Sequence, residues 1–212
     1  MFQLVKNMRY SFIIPMFNEE YDIEATVDSV LAQELHNLEI EVILIDDGSK
    51  DGTYKLCRDK YGANSAVQIL HNQENCGVSH ARNTGVKASS GDVVIFLNAD
   101  ELVAPDFLFR IDQHYQKHAD YVFPQTRVHN CDTAYGMFRD RYRLTKYAQP
   151  NTFMWSQGFS CRKDIFIQVG GFSESYPGCG GEDWDFVSRL DMLYKNRVVD
   201  LDIVVKHTVP AK

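Results

Sequence analysis

Short apolar runs recur along this chain, and each is cut off by a polar or glycine-bearing cluster. Phe12-Ile-Ile14, Val42-Ile-Leu-Ile45, Val67-Gln-Ile-Leu70, Val93-Val-Ile-Phe-Leu97 and Tyr121-Val-Phe123 are the runs of the first 128 residues. Runs of this kind, bounded by turn residues, predict strands buried on both faces of a parallel sheet. Between them the period changes. Ile23, Val27, Val30 and Leu31 fall at helical spacing, and Asp51-Gly-Thr53 leads into a helix carrying Leu56 and Tyr61. Ser79–Lys87 reads as a third helix, and Pro105 starts a fourth that runs through Phe109 and His114. Alternation of this order predicts an α/β fold: a mostly parallel, twisted, Rossmann-like sheet flanked by helices in a single domain, with right-handed crossovers.

After Tyr121-Val-Phe123 the pattern loosens. Asn130–Asn151 is polar and contains the basic, aromatic stretch Arg139-Asp-Arg-Tyr-Arg143. Gln157-Gly-Phe-Ser-Cys-Arg162 predicts an edge or crossing strand, and Asp164–Val169 one or two helical turns. The glycine-rich passages Gly170-Gly-Phe172 and Gly178-Cys-Gly-Gly181 follow, then an amphipathic helix through Phe186, Leu190 and Leu193, then a last strand, Val198–Val205. Residues 1–10 read as a short leader and 11–212 as the domain.

Charge changes the picture by exclusion. The 212 residues carry a formal charge of −7, which argues against nucleic acid as a partner, because phosphate neutralisation needs a basic surface. Cys57, Cys76, Cys131, Cys161 and Cys179 are scattered, odd in number and without a C-x-x-C pair. That suits a reducing compartment, so a cytoplasmic location is expected. No run approaches a membrane span, and no signal peptide precedes the first strand.

The acids are placed where chemistry is expected. Asp46-Asp47 and Asn98-Ala-Asp100-Glu101 end two predicted parallel strands, and ligands of open α/β sheets bind at the carboxyl ends of strands. Such acids are either a metal site or the first turn of the next element. Magnesium takes only one or two protein carboxylates when substrate phosphates supply the rest, and Asp100 can be one. The Asp47-Gly48-Ser49 turn offers a lone acid that can accept a base N–H. Glu182-Asp183 and Asp185 open the late helix, where acids are also favoured by the helix dipole alone.

Six motifs, in order, resemble those of family 2 glycosyltransferases of the GT-A fold. They are Pro15-Met-Phe-Asn-Glu19, Ile45-Asp-Asp-Gly-Ser49, Asp51-Gly-Thr53, Gly77-x-x-x-Ala81-Arg-Asn83-x-Gly85, Gly91-Asp92 through Asn98-Ala-Asp100, and Gly170-Gly-Phe172 with Gly181-Glu-Asp183. The resemblance implies inverting transfer of a sugar from a UDP- or GDP-sugar to a glycan, polysaccharide or lipid-linked acceptor. It implies a nucleotide-sugar half over 11–128 and an acceptor and catalytic half over 129–212. Pro15, Phe17, Asn18, Glu19 and Asp47 would line the nucleotide pocket, with Arg82 near the base or the diphosphate and Asn98 and Ala99 on the donor. Asp100 would be the metal ligand of the D-x-D motif, His207 a second ligand, and Mn2+ or Mg2+ the cofactor. Asp183 would be the general base, with Glu182 and Trp184 facing the acceptor.

The first acid of D-x-D is Asn98 here, an amide that can still bond a ribose. Two other readings use the same residues. A nucleotidyltransferase shares the architecture but would carry a glycine-rich basic loop after the first strand, where this chain has acidic Asn18-Glu-Glu20. A silent nucleotide-sugar-binding module of a larger complex would not need Glu182-Asp183. Trp155 and Trp184 serve equally as sugar platforms or core aromatics, and Arg139–Arg143 as a solvated face or a grip on an anionic acceptor. Peripheral association with the inner face of the membrane, or with a partner subunit, fits a chain without a spanning segment.

Overall fold

Strand β1 (Arg9–Met16) has parallel partners on both sides, β2 (Glu39–Asp46) and β4 (Val93–Phe96). Beyond β2 lies β3 (Val67–His71), also parallel. The computed structural model describes residues 8–128, 157–176 and 180–208. Asn130–Asn151, with Arg139–Arg143, and Trp155 and Cys179 lie outside them. β1 begins at Arg9 on a buried Met8, so the strand takes up the end of the stretch read as a leader.

Successive β1 side chains enter opposite cores, as the two-residue period of a strand requires. Tyr10, Phe12 and Ile14 join Val42, Leu44, Val93 and Ile95 on one face. That face is covered by α1 (Ile23–Leu31), α2 (Thr53–Tyr61) and α4 (Phe107–Gln116), through residues such as Val27, Cys57 and Ile111. Ile13, Ile43, Ile45, Val94 and Phe96 face the other core. There α3 (Val78–Ala88), α5 (Lys163–Gln168) and α6 (Glu182–Leu193) cover them. Apolar cover on both sides is why these strands read as unbroken hydrophobic runs.

The far half of the sheet departs from parallel order. The eight strands run β3-β2-β1-β4-β7-β6-β8-β5. β7 (Ser160–Arg162) lies between β4 and β6 (Tyr121–Val128), antiparallel to both. It is a crossing strand in the sheet interior, not an edge, and Phe159, Ser160 and Cys161 are accordingly buried. β8 (Arg197–His207) runs parallel to β6 and antiparallel to β5 (Glu101–Val103). The acid cluster therefore continues into a three-residue strand that the pattern of apolar positions does not announce.

An aromatic cluster fixes α6 to the sheet. The Phe186 ring lies 4.4 Å from that of Phe172 and 5.2 Å from that of Phe166, and Phe96 meets Phe172 edge-on at 5.3 Å. Phe186→Ala is expected to cost about 3–5 kcal/mol, the usual range for a buried phenylalanine. Urea unfolding checks this; a loss under about 1 kcal/mol, small for such a site, would mean that other contacts seat the helix.

Candidate active site

Because β1, β2 and β4 are parallel, their carboxyl ends and the loops after them share one edge of the sheet. The loop after β1 is tied to the loop after β2. Asn18, at φ 58°, donates its N–H to Ser49 Oγ at 3.0 Å and accepts from Lys50 N–H at 2.8 Å. The Glu19 N–H donates to Thr53 Oγ1 at 2.8 Å, and the Gly52 N–H to Glu20 Oε2 at 2.7 Å. Pro15 lies opposite Ile45 on β2, and Phe17 projects a partly exposed ring beside them. The expected nucleotide-pocket residues are thus brought together.

Asp47 is 3% exposed and accepts three hydrogen bonds. They come from Asn72 Nδ2 at 2.8 Å, Cys76 N–H at 3.0 Å and Gly77 N–H at 2.8 Å. A carboxylate has about four lone-pair sites, so about one remains for a base N–H. Gly48 makes this crossing possible: at φ 77° a Cβ there would stand 2.6 Å from the Glu74 carbonyl carbon. No residue with a side chain fits that approach without moving backbone. Beneath it Asp46 is fully buried, with His71 Nδ1 2.7 Å from its Oδ2 and the imidazole stacked on Tyr54. Asn72, Cys76 and His71 were not anticipated, and Gly77 was visible only as the head of the Gly77-x-x-x-Ala81-Arg-Asn83 motif.

Across the sheet edge the β5–β8 pairing sets Glu101 opposite His207. One ligand atom from each of Asp100, Glu101 and His207 falls within 4.8 Å of the others. His207 Nδ1 is buried without a hydrogen-bond partner, yet stands 3.3 Å from Asp100 Oδ2. Two lone-pair donors facing one space without bonding each other suit a shared cation. Neighbouring ligands at the bond length of an octahedral magnesium site stand about 3 Å apart, so the residues fit a divalent ion. Thr208 closes the site, its N–H donating to the Asp100 carbonyl at 2.8 Å. Glu19 feels the charge of Asp100. Its carboxyl is pushed up to about 7, by burial first and then by Asp100, Asp22 and Asp51.

Asp183 and Glu182 occupy the first turn of α6 after Gly181, which is left-handed at φ 96°. Their reading as helix-starting acids is correct in position, but both side chains are buried, where solvated starting acids would not be. They converge on Arg82. Its Nη1 lies 3.2 Å from Asp183 Oδ1 and 3.4 Å from Glu182 Oε1, and its Nη2 donates to Asn98 Oδ1 at 3.2 Å. The Phe172 ring lies 5.1 Å from the guanidinium carbon. Arg82, expected beside the base or the diphosphate, is 4% exposed and taken up by these partners. Asn98, expected on a ribose, has its side chain between Arg82 and Glu101. Ala99 is buried, with its carbonyl accepting from Thr26 Oγ1. Asp185 is held by Arg189, whose Nε lies 3.0 Å from it, while Trp184 is 62% exposed.

Asp47→Ala should lower stability by about 1–3 kcal/mol, because it removes the buried carboxylate that accepts from Asn72 Nδ2, Cys76 N–H and Gly77 N–H. Nucleotide affinity should fall with it. Thermal unfolding with and without UDP and GDP measures both, and unchanged stability would mean that residues 72–77 are held by other contacts.

The chain is similar to known proteins in sequence and in fold. The family model described as Glycosyl transferase family 2 matches residues 11–173. The chain is 31% identical over 161 residues to the uncharacterized glycosyltransferase EpsJ of Bacillus subtilis strain 168, a match covering 68% of this chain and 45% of that protein. Against the glycosyltransferase GlyA of Streptococcus pneumoniae serotype 4 it is 25% identical over 192 residues, covering 91% and 25%. The chain therefore spans less than half the length of these relatives. S. aureus TarS 1–349, solved in complex with UDP-GlcNAc, superposes with a TM-score of 0.81 at 20% identity, covering 97% of this chain and 60% of that one. The mannosyltransferase PcManGT from Pyrobaculum calidifontis, solved with GDP-Man and Mn2+, gives a TM-score of 0.76 at 23% identity, covering 97% and 58%. At such identities the structures speak for the fold alone, and the family model supplies the rest: the chain belongs to glycosyl transferase family 2 and has the GT-A fold.

Proposed function

We propose that this domain transfers a sugar, with inversion, from a UDP- or GDP-sugar to a hydroxyl of a glycan, polysaccharide or lipid-linked acceptor. The observation that carries the proposal is the pairing of Asp100 and His207 around an orphaned imidazole nitrogen, at the sheet edge that also holds the nucleotide-pocket loops. The ligands of those two solved structures, UDP-GlcNAc in one and GDP-Man with Mn2+ in the other, support the donor class.

In this reading Pro15, Phe17, Asn18, Glu19 and Asp47 hold the nucleotide, and Ala99 faces the donor. Asp100 and His207 hold Mn2+ or Mg2+, which when bound neutralises charge on the departing diphosphate. Asp183 accepts the proton of the acceptor hydroxyl as its oxygen attacks the anomeric carbon. The bond from that carbon to the diphosphate breaks, and the electron pair leaves with the diphosphate. One in-line displacement needs one base, and the Arg82 guanidinium, 3.2 Å from Asp183 Oδ1, holds that side chain in place. Glu182 and the exposed Trp184 ring orient the acceptor. The free, buried thiols of Cys57 and Cys161 support a cytoplasmic location. No helix among the described residues is long and apolar enough to cross a membrane; association with its inner face or with a partner subunit is part of this reading.

Two measurements test this. Asp183→Asn should leave nucleotide and Mn2+ binding nearly unchanged while turnover falls roughly 10²–10⁴-fold, the usual worth of positioned proton transfer. Retention of more than about a tenth of turnover, outside that range, would move the base elsewhere, and Asp185 is already occupied by Arg189.

Asp100→Ala and His207→Ala should each abolish the EDTA-sensitive part of nucleotide binding, read by calorimetry with Mn2+. Imidazole favours the later transition metals, so Mn2+ should support binding at least as well as Mg2+. Equal UDP and GDP affinity with and without EDTA would sink the metal assignment. Wild-type protein that releases no nucleoside diphosphate from any UDP- or GDP-sugar in the presence of Mn2+ and acceptor would favour a silent binding module.

A further inference from the structure

Asn98 stands between two groups of fixed and opposite hydrogen-bonding character. On one side the Arg82 guanidinium can only donate, and its Nη2 reaches Asn98 Oδ1 at 3.2 Å. On the other, Glu101 accepts at both oxygens: Asn98 N–H donates to Oε2 at 2.9 Å, and Asn98 Nδ2 to Oε1 at 3.1 Å. Glu101 is fully buried and belongs to the Asp100–His207 group. The neighbours also settle which end of the amide is oxygen, because only one orientation satisfies both of them.

An ionised aspartate at this place would accept from Arg82 as well as the amide does. It could not donate to Glu101. It would set a second carboxylate oxygen about where Nδ2 now stands, against a buried carboxylate, and like charges that close disfavour each other strongly when desolvated. The departure from D-x-D is therefore matched to a second residue three positions on.

We propose that Asn98 is a positioning residue, an amide relay that joins the Arg82–Asp183 side of the site to the Glu101–Asp100–His207 side. Restoring the family's acid at position 98 would impair this chain. The inference rests on the reading of Asp183 as base and Asp100 as metal ligand. Through Asn98 the guanidinium that holds the base and the buried acid beside the metal ligands share one hydrogen-bonded chain. A displacement on one side is felt on the other.

The test is a cycle of N98D, E101Q and the double variant N98D/E101Q. In N98D two acceptors meet. In E101Q one of the two Asn98 donors faces an amide NH2 in either orientation of the new glutamine. The double variant exchanges the two functional groups, keeps the total charge, and restores a donor opposite an acceptor at the contacts of residue 98 with Arg82 and residue 101. N98D should unfold at a lower temperature than wild type and lose roughly tenfold in Mn2+-dependent UDP or GDP affinity and in kcat, within the usual coupling of residues in one network. E101Q should also unfold earlier. The double variant should unfold above both single variants and recover affinity and kcat relative to N98D. A residue that merely fills space would show no such rescue.

An N98D protein that matches wild type in unfolding temperature and affinity overturns the proposal. So does a double variant that unfolds at or below the less stable single variant. The unfolding arm does not depend on turnover, so the relay is judged even if no donor is consumed, an outcome that would count against the proposed transfer instead.

Discussion

A guanidinium that is 4% exposed must be neutralised where it stands, and the rest of the site is arranged around that requirement at Arg82. Removing one member of a buried charge pair commonly costs about 3–5 kcal/mol, because the survivor is left uncompensated. Glu182 and Asp183 supply the negative charge, Asn98 a neutral acceptor, and Phe172 the electron-rich face of a ring. These four partners come from the end of β4, the loop before α6 and α6 itself. The ion pair therefore ties the head of α6 to α3, beside the aromatic cluster that seats the rest of the helix on the sheet. It also explains why two neighbouring acids at a helix start have a different character from Asp185, which bonds its own helix one turn on through Arg189.

The second constraint is the return of the chain at β8. Its parallel contact with β6 and antiparallel contact with β5 carry His207 to Glu101 across more than a hundred residues of sequence. Thr208 then bonds the Asp100 carbonyl and lies 3.0 Å from Asp22 Oδ1, which ties the last strand to the start of α1. The three candidate ligand side chains thus sit on main chain that is hydrogen-bonded on either side. A site of that kind holds its donors apart and oriented before a cation arrives, the condition for tight binding at few ligands.

The aromatic cluster links the two constraints. Asn83 exchanges two hydrogen bonds of 2.9 Å with the main chain of Phe172, and the rings of Phe172 and Phe186 pack on Phe96 or on one another. α3 thereby grips the Gly170-Gly-Phe172 passage with one residue and the head of α6 with the next. The neighbouring Arg82 and Asn83 act on different segments, so the motif Ala81-Arg-Asn83 is a joint of the fold as well as part of the site.

The near half of the fold was legible because its physics is local. Strands covered on both faces must be apolar throughout, so β1, β2 and β4 appear in the pattern; the edge strand β3 is the weaker signal, and α1 to α4 show by their helical spacing. The order of motifs pointed to the family for the same reason: each is a turn or strand end whose residues are required nearby. The partners of each side chain were not legible. β5 has three residues, too few to show a period, and β7 read as either an edge or a crossing strand because nothing in its own residues says which strands flank it. Asn98 read as an amide on a ribose until its two neighbours were known. Arg82 read as a cation for a ligand, since a sequence shows a charge but not whether the fold has already neutralised it. Which residues are candidates for the chemistry was written in the chain by type and position. Which of them face the donor and which face each other was decided by contacts between residues up to about a hundred positions apart, because burial and pairing depend on three-dimensional neighbours and leave no local periodicity behind.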